Sequence, residues 1–459
     1  MGDETDGSAA ARGSTPARPD RWTAADIGLL AGVSAVAALL RLMFVEQWSF
    51  GPAEAETWRV VTSPVAGGVG AGDTASHPLY YLLLRELLER GVLAGTTEGW
   101  LRLPSAFAGC LLVPLVALAA RPLLGRAAAT LAAVIVAVHP GCVAASQTAS
   151  PAVFAAVFAV LAGALAGKRW RLLAGVSTVL AGGCHPLGWG AALGMMLAAT
   201  SPAWLERAPR AAALALVAVA APMVLRLGDG SAWTLSGLAA LAFGLSLPGR
   251  CGFAAAALLP LAAGGVAWWW QPSTGDAALL LSAPPLAMLA AWSCARFAGA
   301  VSSELRARPA VARLVAAAPA VILLGELWTA TFLYYAVYDG GRAVWRAART
   351  AVAAARAPGR DLVVYADRGV DVLRTYLRPN HWRDALRDAH PGVVVEPLAA
   401  AAGARSEQLA RAGALVVLQR DELPLVGDAR AEFEVIALWP GPKPVGDGSL
   451  YVLRRRAAD

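Results

Sequence analysis

The sequence predicts a polytopic all-α membrane protein of about eleven transmembrane helices, followed by a small C-terminal external α/β domain. Of its 459 residues, 57% are hydrophobic and 15% charged, too apolar a balance for a soluble globular chain of this length. Apolar stretches recur from about residue 25 to about residue 338, many approaching the roughly 20 residues that a helix needs to cross a bilayer. They are built mainly of Ala, Leu, Val and Gly without strict alternation, which favours helices over barrel strands. Beyond about residue 341 the apolar runs shorten to strand length and alternate with polar helices.

Residues 1–24 are polar and rich in small side chains, and lack the basic, apolar and small-residue order of a cleavable leader. They predict a disordered cytoplasmic tail. Spans are expected at 25–45, 103–120, 127–140, 151–167, 172–184, 188–200, 211–227, 233–249, 251–270, 277–297 and 314–338, which together make a transmembrane domain over 25–340. Basic residues fall on alternate loops: Arg12, Arg18 and Arg21; Arg121 and Arg126; Lys168, Arg169 and Arg171; Arg207 and Arg210; Arg250; then Arg306, Arg308 and Arg313. The positive-inside rule places these loops and the N-terminus in the cytoplasm, and an odd number of crossings puts the C-terminal domain outside a plasma or inner membrane.

The stretch around CHPLG at 184–188 reads either as a hairpin or as one kinked helix, and the hairpin keeps Arg207 and Arg210 inside. GVAWWWQP at 265–272 reads as an interfacial aromatic belt. HPLYYLLLRELLERG at 77–91 is apolar at Leu79, Tyr80, Leu83, Leu84, Leu87 and Leu88 but carries Arg85, Glu86, Glu89 and Arg90. It predicts an amphipathic helix lying in the interface, inside a first external loop over 46–102. Residues 341–459 predict the α/β domain, with strands in LVVYA, GVVVEPL, GALVVLQ, FEVIALW and SLYVLRR, and without GxGxxG, P-loop or HExxH motifs.

The net charge of +7 resides in short loops, so nucleic acid is not an expected partner. The cysteines, Cys110, Cys142, Cys184, Cys251 and Cys294, lie in or at the ends of apolar runs without CxxC spacing, as small buried residues do. No His, Cys or carboxylate cluster has metal spacing. A transporter would line a path with charge, whereas most charges here sit at span ends.

GPAEAETWRVV at 51–61 puts Glu54 and Glu56 two residues apart just beyond the first span. This acidic cluster is followed by HPLYYLLL at 77–84, EGWLRLPSAFAG at 98–109, a span ending RPLLGR at 121–126, and CHP at 184–186. In this order the motifs resemble the GT-C membrane glycosyltransferases, specifically the family 39-like branch of protein O-mannosyltransferases and aminoarabinose transferases. VWRAA at 344–348, leading into the external domain, is similar too.

The resemblance implies transfer of a sugar from a polyprenyl-phosphate donor, held by its tail in the membrane, to a glycan, lipid or protein acceptor on the external face. It implies no cofactor besides the donor. Such chemistry needs a carboxylate to take or orient the acceptor hydroxyl proton, and polar or cationic groups for the phosphate. The family's acidic pair aligns on Ala53 and Glu54, so Ala53 stands in place of the expected Asp, and Thr148 and Ser150 of SQTAS stand where an acid and an arginine are expected.

Glu54 and Glu56 are therefore the candidate catalytic carboxylates, or else solvated or structural charges. His77, Arg59, Arg102 and Tyr80 are the candidates for donor phosphate and substrate. His77 reads alternatively as a helix cap, and Arg102 as a paired or snorkelling arginine at the head of a span. Arg59 and Arg85 fit lipid headgroups, Asp73 a loop, and His185 a hairpin tip. The alternative function is a non-catalytic relative that binds a lipid-linked glycan or a partner protein.

Overall fold

The computed structural model describes residues 22–46, 50–62, 77–92, 98–167, 170–200, 274–336, 344–356, 361–367, 369–377, 393–411, 414–439 and 449–456. The spans expected at 211–227, 233–249 and 251–270, the tryptophan cluster, Asp73 and Cys251 lie outside them.

Helix α1 (Ala24–Leu42) opens with a capping box in which the Thr23 hydroxyl accepts from the Asp26 amide and the Asp26 carboxylate accepts from the Thr23 amide. After α2 (Pro52–Thr62) and α3 (Pro78–Glu89) comes α4 (Glu98–Leu124), which carries Pro104, Pro114 and Pro122 within it. Gly125, at φ 82°, turns the chain into α5 (Arg126–Val138), a backbone setting that a side chain would resist. A single span is expected over 127–140. The chain instead bends by 56° at His139 and Pro140 into the short α6 (Pro140–Ser146). The proline fits the first turn of α6 because its missing N–H is not needed there, and the His139 ring accepts from the Cys142 amide.

Helices α7 (Pro151–Gly167), α8 (Arg171–Cys184) and α9 (Gly188–Thr200) follow, then α10 (Thr274–Glu304) and α11 (Pro309–Ala336). The α8–α9 connection is a hairpin: Thr178 donates its hydroxyl to the Met196 sulfur at 3.2 Å, and the Gly182 and Trp189 positions press together across the turn. Helices α1, α4 and α11, and the Leu280–Glu304 part of α10, are each long and apolar enough to cross a membrane.

The body is packed largely with small residues, among them Ala37, Ala120, Ala132, Ala156 and Ala291, which let helix backbones approach closely. Its outer faces stay apolar, with Leu172, Leu314, Val321, Leu39 and Phe107 all well exposed, as a surface meant for lipid requires. Charge gathers at the helix ends. At one end Arg126 pairs with Asp26 at 2.8 Å and Arg121 lies over the Trp22 ring. The other end carries α2 and α3.

The C-terminal part folds as expected. Helix α12 (Trp345–Ala355) leads to β1 (Leu362–Ala366), α13 (Val370–Leu377), β2 (Val393–Pro397), α14 (Ala402–Ala410), β3 (Leu415–Gln419), a 3₁₀ segment (Arg420–Glu432), β4 (Phe433–Trp439) and β5 (Leu450–Arg455). The sheet order is β2-β1-β3-β5-β4; β1 is parallel to β2 and β3, while β5 is antiparallel to β3 and β4. Strand alternation sends Val364, Ala366, Leu415 and Val417 to one face, and Tyr365, Val416 and Leu418 to the other. The first face shares one continuous core with Trp345, Leu373, Ala55, Tyr80, Leu84 and Leu101, so the sheet domain is seated on α2, α3 and the head of α4.

Candidate functional site

The first-loop carboxylates have separate fates. Glu54, in the first turn of α2, is buried, and the Arg102 guanidinium grips it with both prongs, Nε to Oε1 at 2.7 Å and Nη2 to Oε2 at 2.8 Å. The Gly51 amide donates to Oε2 at 3.0 Å and the Ala149 amide to Oε1 at 3.2 Å. The remaining prong, Arg102 Nη1, donates to the Val45 carbonyl at 2.8 Å, and the guanidinium faces the Phe50 ring. Four donors on one carboxylate make Glu54 an anchor that joins α2, α4 and the turn after α6. Glu56, half a turn further, is half-buried, Arg59 is exposed one turn on, and Ala53 is exposed.

The helix expected at 77–91 forms as α3, with Tyr80, Leu84 and Leu88 buried and with Arg85–Glu89 and Arg90–Glu86 ion pairs on its outer side. His77 holds the N-cap position but makes no capping hydrogen bond with its side chain. It stacks instead on His185 in the α8–α9 turn, ring centroids 4.9 Å apart and planes at 20°. His185 Nδ1 accepts from the Leu187 amide at 3.2 Å, and burial, with the His77 ring beside it, pushes its pKa down to about 3. Tyr80 is fully buried between Tyr81 and Phe154, and burial pushes its phenol up.

SQTAS acts as an anchor segment. Gln147 is buried and donates to the Leu40 and Met43 carbonyls at 2.9 and 2.7 Å, the Ser150 amide donates to the Ser105 hydroxyl at 3.1 Å, and Thr148 turns its hydroxyl back to the Ala145 carbonyl at 2.9 Å. The structure thus brings together Glu54 with Arg102, and His77 with His185, on elements that all meet at one end of the body.

Two groups escaped the sequence reading. Arg41, at the end of α1, is wholly buried and donates to Val136 and Ala137 carbonyls at 2.9 Å each and to Ala37 at 3.2 Å. These carbonyls are left open where the chain breaks at His139, so a guanidinium replaces the missing helical amides at the negative end of α5. The second group joins the two halves of the chain. Glu98, at the head of α4, takes Arg346 Nη2 at 2.6 Å and Nε at 3.2 Å, and the Tyr376 hydroxyl at 2.6 Å. Burial and the Glu98 carboxylate push the Tyr376 phenol up, and Glu98 raises Arg346 despite the opposing effect of burial.

A helical membrane body with a small α/β domain seated on its buried first-loop anchor is the class that fold and site define, and the resemblance to GT-C glycosyltransferases has its support in a family match over part of the chain. Residues 84–184, running from α3 through EGWLRLPSAFAG to the end of α8, match the family model of dolichyl-phosphate-mannose-protein mannosyltransferase. Among solved structures the chain is similar to ArnT from Cupriavidus metallidurans in the apo state, at 13% identity with 94% of this chain and 98% of that one covered and a TM-score of 0.49. It is similar to the same protein bound to undecaprenyl phosphate at 15% identity, covering 94% and 99%, with a TM-score of 0.49. It is also similar to the Archaeoglobus fulgidus oligosaccharyltransferase at 15% identity, covering 92% and 72%, with a TM-score of 0.48. No match is found among curated proteins.

Proposed function

We propose that this protein is a membrane glycosyltransferase that moves a sugar from a polyprenyl-phosphate carrier to a glycan, lipid or protein acceptor at the external membrane face. The observation that carries this reading is the match over residues 84–184, because that stretch supplies Arg102 and holds Glu54 against the body. In this reading the acceptor hydroxyl attacks the sugar anomeric carbon while the bond to phosphate oxygen breaks. The leaving polyprenyl phosphate keeps the bonding electrons, and a carboxylate takes the hydroxyl proton. Glu54 has its lone pairs committed to four donors, so Glu56 is the base we assign, with Arg59 and His77 assigned to the phosphate side. The donor serves as co-substrate, and no further cofactor is invoked.

A second reading has its own support: Ala53 is exposed where the family places its acid, and Glu54 is locked. A protein that keeps the lipid-sugar site without turnover fits that pattern. Transfer of labelled sugar from a panel of polyprenyl-phosphate donors, in membranes holding wild type, Glu56→Gln or Glu54→Gln, separates the two. Loss of transfer in Glu56→Gln at unchanged thermal stability supports the enzyme. Unchanged transfer removes Glu56, and no wild-type transfer alongside donor protection from unfolding favours binding alone.

A further inference from the structure

Val45, Glu46, Phe50 and Gly51 lie outside α1 and α2, so their backbone groups take partners from elsewhere. They come from two directions. The body supplies Arg102, which takes the Val45 carbonyl at 2.8 Å, and α2 supplies Glu54, which takes the Gly51 amide at 3.0 Å. The C-terminal domain supplies Arg346, which takes the Glu46 carbonyl at 3.2 Å, and Tyr376, whose hydroxyl accepts from the Phe50 amide at 2.8 Å. The amides of the adjacent residues Phe50 and Gly51 are thus claimed by the two sides in turn.

Glu98 ties the second pair together, because its carboxylate receives both Arg346 and Tyr376. It lies four residues before Arg102, one turn along the same helix, so one turn of α4 serves both grips. Neighbouring packing agrees: Phe50 lies against Trp58 of α2 at 6.3 Å and Tyr376 of α13 at 6.0 Å, and its ring is the one that Arg102 faces. Gly99 is equally constrained, since a methyl group there would strike the Glu46 side chain.

We infer that the C-terminal domain is a positioning element for α2. Arg346 and Tyr376, held by Glu98, clamp the backbone at Glu46 and Phe50 and so set where Glu56 and Arg59 stand. The domain does more than cover the membrane body, because two of the three described side-chain grips on Glu46, Phe50 and Gly51 belong to it. The consequence for chemistry rests on the reading of Glu56 given above, whereas the clamp itself does not.

The test is peptide hydrogen–deuterium exchange on the full chain in lipid nanodiscs, comparing wild type with Tyr376→Phe, Arg346→Gln and Arg346→Lys, and with Arg405→Gln as a control on the far side of the domain. The clamp predicts faster exchange over residues 50–62 in Tyr376→Phe and Arg346→Gln, partial recovery in Arg346→Lys, and no change in Arg405→Gln. Faster exchange confined to α12 and α13, with residues 50–62 as in wild type, would overturn it. In the transfer assay Tyr376→Phe and Arg346→Gln are expected to lose kcat by about 10- to 100-fold, as a displaced base requires, and Arg405→Gln to keep it. An unchanged kcat in both variants would overturn the positioning role. A wild type without transfer would count against the proposed function, and the exchange result would still decide the clamp.

Discussion

The Arg102 guanidinium and the Glu54 carboxylate form a two-pronged ion pair with essentially no exposure on either side, 48 residues apart in sequence. Breaking a buried pair strands the surviving charge, which costs about 3–5 kcal/mol. Arg102→Met and Glu54→Ala are therefore expected to lower thermal stability by that order, and Arg102→Lys to lose a large part of it because an ammonium cannot fork onto both oxygens. The double replacement Glu54→Met with Arg102→Met should recover much of the loss. Melting curves of the purified variants check this. Independent, additive losses would mean that the two charges do not depend on each other.

Arg41 carries a second buried guanidinium, with its Nε facing no hydrogen-bond partner and no carboxylate in salt-bridge reach among the described residues. Its value lies in the carbonyls at the α5 break. Arg41→Met keeps the bulk and removes the donors, so it should cost about 1–3 kcal/mol for each carbonyl left buried and open. Faster exchange centred on residues 139–147 would accompany the drop in melting temperature. A neutral result would show that the break at Pro140 holds without it.

The stacked histidines make stability depend on pH. The His185 pKa lies at about 3 in the fold, below the ordinary value of 6.5, because of burial and of the His77 ring beside it. Above pH 6.5 both folded and unfolded chains hold this ring neutral, and nothing changes. As pH falls below that value the unfolded chain takes a proton that the folded one refuses, so stability drops, by roughly 2 kcal/mol at pH 5. Among the groups facing the pair are the Tyr81 ring, 6.0 Å from His77, and the Leu187 amide that donates to His185. Replacing His185 with Asn, which can still accept from that amide, should flatten the melting temperature between pH 8 and pH 5. An equally steep profile would assign the titration elsewhere.

Much of this arrangement was legible in the chain, and what was missed has a physical reason. Strands in LVVYA, GVVVEPL and SLYVLRR and the amphipathic α3 follow from period and punctuation, which are local, whereas the hairpin at CHPLG follows from the charge of the loops that flank it. The position of Arg102 at the head of a span raised the need for a partner, but nothing local said that Glu54 answers it. The bend at His139 escaped because Pro140 can equally close a span, and Arg41 was read as part of a span because hydropathy averages over its neighbours. Glu98 lies in EGWLRLPSAFAG and Arg346 in VWRAA, yet their meeting with each other and with Tyr376 spans 248 and 278 residues of sequence, a distance that no pattern within a window reports.

Gly369 offers a test of how tightly the C-terminal domain transmits its packing. It precedes α13, the helix that carries Tyr376, and a methyl group added to it would enter the space of the fully buried Trp345 ring. Its backbone is not in the left-handed region, so the cost of Gly369→Ala comes from crowding alone, about 1–3 kcal/mol as for other overfilled cores. The ring cannot yield easily, since Ala348, Val352 and Leu373 close the same core. The strain is expected to shift α13, so Gly369→Ala should accelerate exchange at residues 50–62 as well as lower the melting temperature. Pairing it with Trp345→Phe, which frees space beside the added methyl, should restore both readings in part. Restored stability with residues 50–62 still loosened would locate the damage in the Tyr376 contact instead of in the core.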